Sequence, residues 1–257
     1  MATLAAKHDD SARGERFFST LAIIMGLTVV IGFTVQFLAG RSSLASPLRV
    51  HAHGVLFMGW VAIFVAQARF ATHGPIALHR RLGWLAMGWI AAMLVTAMVV
   101  ILAMVRNGTV PFFFQPQHFL FADPLTLVCF VALTALAVRK RKDTDWHARL
   151  QIGAMALLTG PAFGRLLPMP LLIPYAFEAA GAATTVFLFA GMIRDWRVSR
   201  AIHPAWWFGF AALAINLVGA QLLAHSPIGD AVYQAVVAGT PGEQVAGLDF
   251  PPPPQAP

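Results

Sequence analysis

At 257 residues the chain has the length of one or two globular domains, but 58% of its residues are hydrophobic and only 11% are charged. Soluble domains carry about 25% charged residues, so the solvent for this chain is lipid, and a soluble enzyme or nucleic-acid-binding domain is excluded. The formal charge of +7 belongs to loops that meet anionic lipid headgroups.

A helix needs about 20 apolar residues to cross a bilayer, and it must be a helix to satisfy its own backbone. After a short arm (1–16), seven stretches reach that length, near 17–39, 50–70, 82–105, 117–138, 147–167, 171–193 and 205–224. The first is too long for the apolar core of a cleaved signal and stays as an anchor. The sequence therefore predicts an all-α integral membrane bundle of seven transmembrane helices (17–224). A proline-rich tail (225–257) ends the chain, with Pro251 to Pro257 extended.

Basic residues fix the orientation, because Lys and Arg concentrate on the cytoplasmic side. Lys7, Arg13, Arg16, Arg69, Arg80, Arg81, Arg139 to Lys142, Arg149, Arg194, Arg197 and Arg200 all fall on one side of the seven-span scheme. Only Arg41, Arg49, Arg106 and Arg165 fall on the other. The N-terminus is thus expected in the cytoplasm and the C-terminus in the periplasm of a bacterial inner membrane. Cys129, the single cysteine, lies within the fourth span and reads as a packing residue. No glycine-rich phosphate loop is present.

Topology also sorts the histidines. His51, His53, His118 and His225 fall at the outer face; His73, His79, His147 and His203 fall at the inner face; His8 lies in the arm. His79 opens the third span in His-Arg-Arg-Leu and His147 the fifth in His-Ala-Arg-Leu, while His51 and His118 open the second and fourth. Spans two and three, and spans four and five, therefore read as two copies of one hairpin. His53 or His51 can face His118 across the bundle, and His79 can face His147. Two imidazoles from opposed helices at matching depth are what a b-type haem requires. Gly54, Gly59, Gly83, Gly88, Gly153, Gly160 and Gly164 supply small side chains that either make room for a flat macrocycle or let helices pack closely. His8, His73, His203 and His225 read as interfacial residues.

A polar cluster is expected at the outer face. Glu178, about seven residues into the sixth span, needs a partner at that depth, and Arg165 is its candidate. Tyr175, Asp123, Asn216 and Gln221 lie at a similar level and, with His51 and His53, could line a pocket open to the periplasm. Gly160-Pro161, Pro168, Pro170 and Pro174 concentrate irregular backbone there.

The stretch from Leu48 to Trp84, with His-Ala-His-Gly (51–54), Trp60, Gln67 and Leu-His-Arg-Arg-Leu-Gly-Trp (78–84), resembles a large group of bacterial multi-pass membrane proteins of unassigned function. Trp-His-Ala-Arg-Leu (146–150) and Pro-Ala-Phe-Gly-Arg (161–165) resemble its second half. One histidine at the start of each of four consecutive spans is, more distantly, similar to the diheme transmembrane b-type cytochromes. That resemblance implies haem b ligated by His53 with His118 and by His79 with His147, and electrons passed from ascorbate or a related donor; an electron-transfer protein of this kind is expected to have a quinone or another small molecule as donor or acceptor. The chain departs from those cytochromes in having seven spans rather than six. The other reading is a non-haem divalent metal or small-ligand site formed by His51, His53, His118, Asp123 and Glu178, in a transporter, receptor or assembly factor. Both readings make the outer half of the bundle the leading place for chemistry.

Overall fold

The computed structural model describes the backbone of residues 2–253 and the side chains of residues 16–253; the side chains of Lys7, His8 and Arg13 and tail residues 254–257 lie outside the described residues. Every regular element described is helical. In chain order these are α1 (Ala2–Leu38), α2 (Leu48–His73), α3 (Ile76–Arg106), α4 (Pro116–Arg139), α5 (Thr144–Leu158), α6 (Gly160–Leu166), α7 (Ala176–Ser199), α8 (Ala205–Ala224) and α9 (Pro227–Val237). Six of them, α1 from Arg16 onward together with α2, α3, α4, α7 and α8, are long and apolar enough to cross a membrane. The chain is a multi-pass membrane protein.

Prolines and polar caps set the helix limits. Pro47 and Pro75 immediately precede α2 and α3, and Pro116 opens α4, where a missing N–H costs nothing. Asp143 caps α5 by accepting from the Trp146 N–H at 3.3 Å, and Ser226 caps α9 by accepting from the Gly229 N–H at 2.9 Å. The expected fifth span, 147–167, is not one continuous helix. It breaks at Thr159, whose buried hydroxyl donates to the Ala156 carbonyl at 2.6 Å just before Gly160 and Pro161. The expected start of the sixth span, at 171, is also displaced. Met169–Leu172 is a short 3-10 turn, and α7 begins only after Pro174.

Close packing fills the space beside most of the glycines. Gly153 of α5 approaches the Gly209 Cα so closely that an added Cβ would stand 3.5 Å from it. Gly59 of α2 lies under the ring of Trp89, which donates to the Leu56 carbonyl at 2.7 Å. Gly83 faces Gln67, Gly160 faces Thr184 and Gly164 faces Met169. Of the seven glycines singled out, five are thus occupied by packing, and only Gly54 and Gly88 face open space.

Residues 225–250 fold against the bundle instead of trailing from it. Tyr233 of α9 is 1% exposed and donates to the Val245 carbonyl at 3.0 Å. The Gln117 N–H, an otherwise free donor in the first turn of α4, donates to the Gly247 carbonyl at 2.8 Å. The turn that carries Gly247 therefore acts as the N-cap that Gln115 does not provide.

Candidate functional site

α2 and α4 run in parallel, as do α3 and α5, so residues of the two hairpins can be matched by depth. Trp60 of α2 meets Phe130 of α4 with ring centres 5.3 Å apart and planes at 82°. This contact sets a register of seventy positions between the two helices. Two turns outward, about 10 Å, the register matches His53 with Asp123. Two turns inward it matches Gln67 with Ala137.

At the inner end the histidines on the companion helices come together. The His79 and His147 rings have their centres 6.3 Å apart and lie at 83° to one another. His79 Nδ1 contacts the Gln67 carbonyl at 3.2 Å, and His147 Nδ1 contacts the Ala137 carbonyl at 2.8 Å. A carbonyl only accepts, so each Nδ1 carries the proton and donates, which leaves each Nε2 with a free lone pair. The two hairpins thus repeat one device: a histidine opening the second helix is pinned to a carbonyl near the end of the first. Gln67 contributes more than its backbone, because its side-chain Oε1 is buried without a partner.

Beside this pair lies an ion-pair network that the sequence reading did not assemble. Asp195 of α7, 2% exposed, accepts from Arg149 Nε and Nη2 at 2.8 Å each, from Trp206 Nε1 at 2.7 Å and from Arg194 at 3.2 Å. Asp145 takes a further bond from Arg149 at 2.8 Å. Phe18 of α1 lies beneath both the Arg149 and Arg194 guanidinium groups. Arg149 and Arg194, counted in the sequence only as loop charges, hold α1, α5, α7 and α8 together. In the adjoining loop, burial and the Arg149 charge push the His203 imidazole below its ordinary value, and its Nδ1 accepts from the Ala205 N–H at 3.1 Å.

At the outer end the expected partners are redistributed. His53 and His118 do not pair. His53 packs on Phe57 at 4.3 Å, whereas His118, 4% exposed, packs on Phe177 at 5.1 Å. The ion pair expected between Arg165 and Glu178 is not formed. Arg165 lies 4.0 Å above the Phe33 ring and donates to the Pro161 carbonyl at 2.8 Å. Glu178 accepts from Gln221 Nε2 at 2.6 Å and occupies the first turn of α7, where the helix dipole favours a carboxylate. The cause is the later start of α7, which lifts Glu178 out of the depth that had called for a cation.

The remaining outer residues serve packing or lie at the surface. Asn216 donates to the Ala122 carbonyl at 2.9 Å and to Thr126 at 2.8 Å, which ties α8 to α4. Tyr175 is 69% exposed, and His51 Nε2 sits 3.1 Å from the Leu44 carbonyl. Three buried nitrogens at this end have no partner: His53 Nδ1, His118 Nε2 and Arg165 Nε. Among the described residues no cluster of three or more His, Cys, Asp or Glu side chains has the arrangement of a metal site. The five-residue ligand set His51, His53, His118, Asp123 and Glu178 is therefore not assembled as one group. No protein family, curated protein or solved structure matches this chain.

Proposed function

We propose that the chain is an inner-membrane electron-transfer protein that holds a b-type haem between α3 and α5 through His79 and His147. The observation that carries this reading is the geometry of that pair. An imidazole nitrogen binds a transition metal at about 2 Å, so two imidazoles sharing one ion place their ring centres about 6 Å apart. The 6.3 Å separation fits that requirement. Each Nδ1–H is held by a carbonyl, which fixes ring orientation and raises the basicity of the ligating Nε2. Bound there, haem supplies one-electron chemistry. The chain's own residues orient the ligands through these carbonyl bonds. Gln67, next to His79, offers an unpartnered amide oxygen to the same space.

The topology that accompanies this reading has seven crossings with the N-terminus in the cytoplasm. α5 and α6 together supply the additional crossing: Arg149 lies against Phe18 and Arg165 against Phe33, positions about 22 Å apart along α1. Exposed Trp84, Trp196 and Trp207 gather at the basic end, as an interfacial belt does.

Absorption spectra of detergent-purified protein from haem-sufficient cells test the proposal. A Soret band in the parent, lost in both His79→Ala and His147→Ala, supports it; a parent without a Soret band sinks it. A second reading, a small-ligand or metal site at the outer face, draws support from the three unpartnered nitrogens there. Elemental analysis of the parent against His53→Ala and Glu178→Gln separates a metal from an organic ligand.

A further inference from the structure

α9 lies across one end of the bundle. Its first turn packs on the last turn of α8, where a Cβ on Gly229 would strike the Leu223 carbonyl. Its last turn reaches the end of α3, where Arg106 Nη1 donates to the Val236 carbonyl at 3.2 Å. Between them Tyr233 packs against Gly247, whose carbonyl accepts from the Gln117 N–H of α4 at 2.8 Å. Gln117 Nε2 in turn donates to the Ala224 carbonyl at 2.6 Å, which puts the start of α4 and the end of α8 at one level. The 11 residues of α9 at about 1.5 Å each make it about 16 Å long. It bridges the ends of three membrane-crossing helices side-on, and so runs along the membrane surface instead of into it.

At about 100° per residue the side chains of α9 divide into three sectors. Gly229, Tyr233 and Val237 are buried against the bundle. Asp230 and Gln234 are exposed on one flank, about 200° and 240° round from Ile228. The other flank, within about 60°, carries Ile228, Val232 and Ala235, all exposed, Ile228 at 73% and Val232 at 40%. That apolar flank continues a lipid-facing surface. Ile215, Val218 and Leu222 form a stripe along α8, a helix long and apolar enough to cross the membrane, and are 59%, 58% and 69% exposed. Leu223 and Ile228 carry this surface round the turn into α9. A helix divided between protein, lipid and water in this way is built to lie in the membrane interface. Asp230 is the only charged residue on α9, so burial of apolar side chains, not attraction to anionic headgroups, holds it there. We infer that α9 is an interfacial helix: Ile228 and Val232 are embedded at the boundary between headgroups and acyl chains of the leaflet at this end of the bundle, with Asp230 and Gln234 in water. The inference rests on the membrane-crossing helices and is independent of the haem.

Spin labels placed one at a time on the full-length protein in phosphatidylcholine nanodiscs test this, with the parent, whose Cys129 is buried, as the blank. Each label is relaxed in turn by oxygen, which concentrates in lipid, and by a nickel chelate confined to water. The oxygen-to-chelate accessibility ratio should be severalfold higher for Ile228→Cys and Val232→Cys than for Asp230→Cys and Gln234→Cys. If Ile228→Cys does not insert, Val232→Cys decides. An equal ratio at all four positions, meaning that the apolar flank stands in water, overturns the inference. Labels on Ile228→Cys and Val232→Cys that neither reagent reaches overturn it too, because a partner protein or a second copy of the chain would then cover the flank.

Discussion

Removing the Asp195 carboxylate should destabilise the bundle more than any other single truncation at its inner end. Asp195 is 2% exposed and receives four hydrogen bonds from Arg149, Arg194 and Trp206. In Asp195→Ala the Arg149 guanidinium stays buried, and its remaining carboxylate, Asp145, is 72% exposed and screened by water. Breaking a buried pair in this way costs about 3–5 kcal/mol. At roughly 2–4 °C per kcal/mol for a chain of this size, the melting temperature should fall by about 10 °C. Asp195→Asn keeps an acceptor for Trp206 and should lose less. Arg149→Met combined with Asp195→Leu replaces the most buried pair by apolar groups of similar volume and should recover part of the loss, because the Arg149 charge is no longer orphaned while Arg194 and Trp206 still lack their acceptor. Tryptophan fluorescence of detergent-purified protein on heating reads all four. If Asp195→Ala melts with the parent, or the double variant melts no higher than the single one, the pair is not the clamp described here.

Three further outcomes follow from the same contacts. His203 has its imidazole held below its ordinary value, so the unfolded chain binds its proton first as pH falls. Its contribution to stability is complete above about pH 6.5 and is lost on acidification; His203→Gln should flatten a melting curve series between pH 7.5 and 5 relative to the parent. Gly153→Leu places a bulky side chain against Gly209 of α8 and should cost about 1–3 kcal/mol by overpacking, read as a lower melting point; no change would mean that the helices part freely there. In Gly247→Val any Cβ collides with Gln117 and the Tyr233 ring, so the segment after α9 should detach from the α4 N-terminus. Limited proteolysis near residue 240 then speeds up in the variant, and equal rates would show that the segment is not held by that contact.

Six of the seven expected spans were legible because a membrane span announces itself by length and apolarity alone; the fifth, broken between α5 and α6, was not. The hairpin repeat was legible because His79 and His147 open their helices in similar local sequence. What sequence could not supply was azimuth. His53 and His118 start at comparable positions, but the register set by Trp60 and Phe130 shows that His53 is matched by Asp123, five residues further on and on another side of α4. Prolines misled in depth: Pro168, Pro170 and Pro174 postpone α7, so Glu178 became a first-turn residue satisfied by Gln221 instead of a buried acid requiring Arg165. Asp195 was invisible because a lone acid near a run of arginines reads as a loop charge until the fold turns it inward. The docking of the segment after α9 was not legible, because composition does not record the backbone bond from Gln117 to Gly247.

The most direct test of the central claim is electron paramagnetic resonance of the oxidised, purified protein. Two neutral imidazoles on one ferric ion give a low-spin signal, and the account predicts that signal in the parent and its disappearance in His79→Ala and His147→Ala alike. A high-spin parent, or a low-spin signal that survives either substitution, would contradict ligation by this pair.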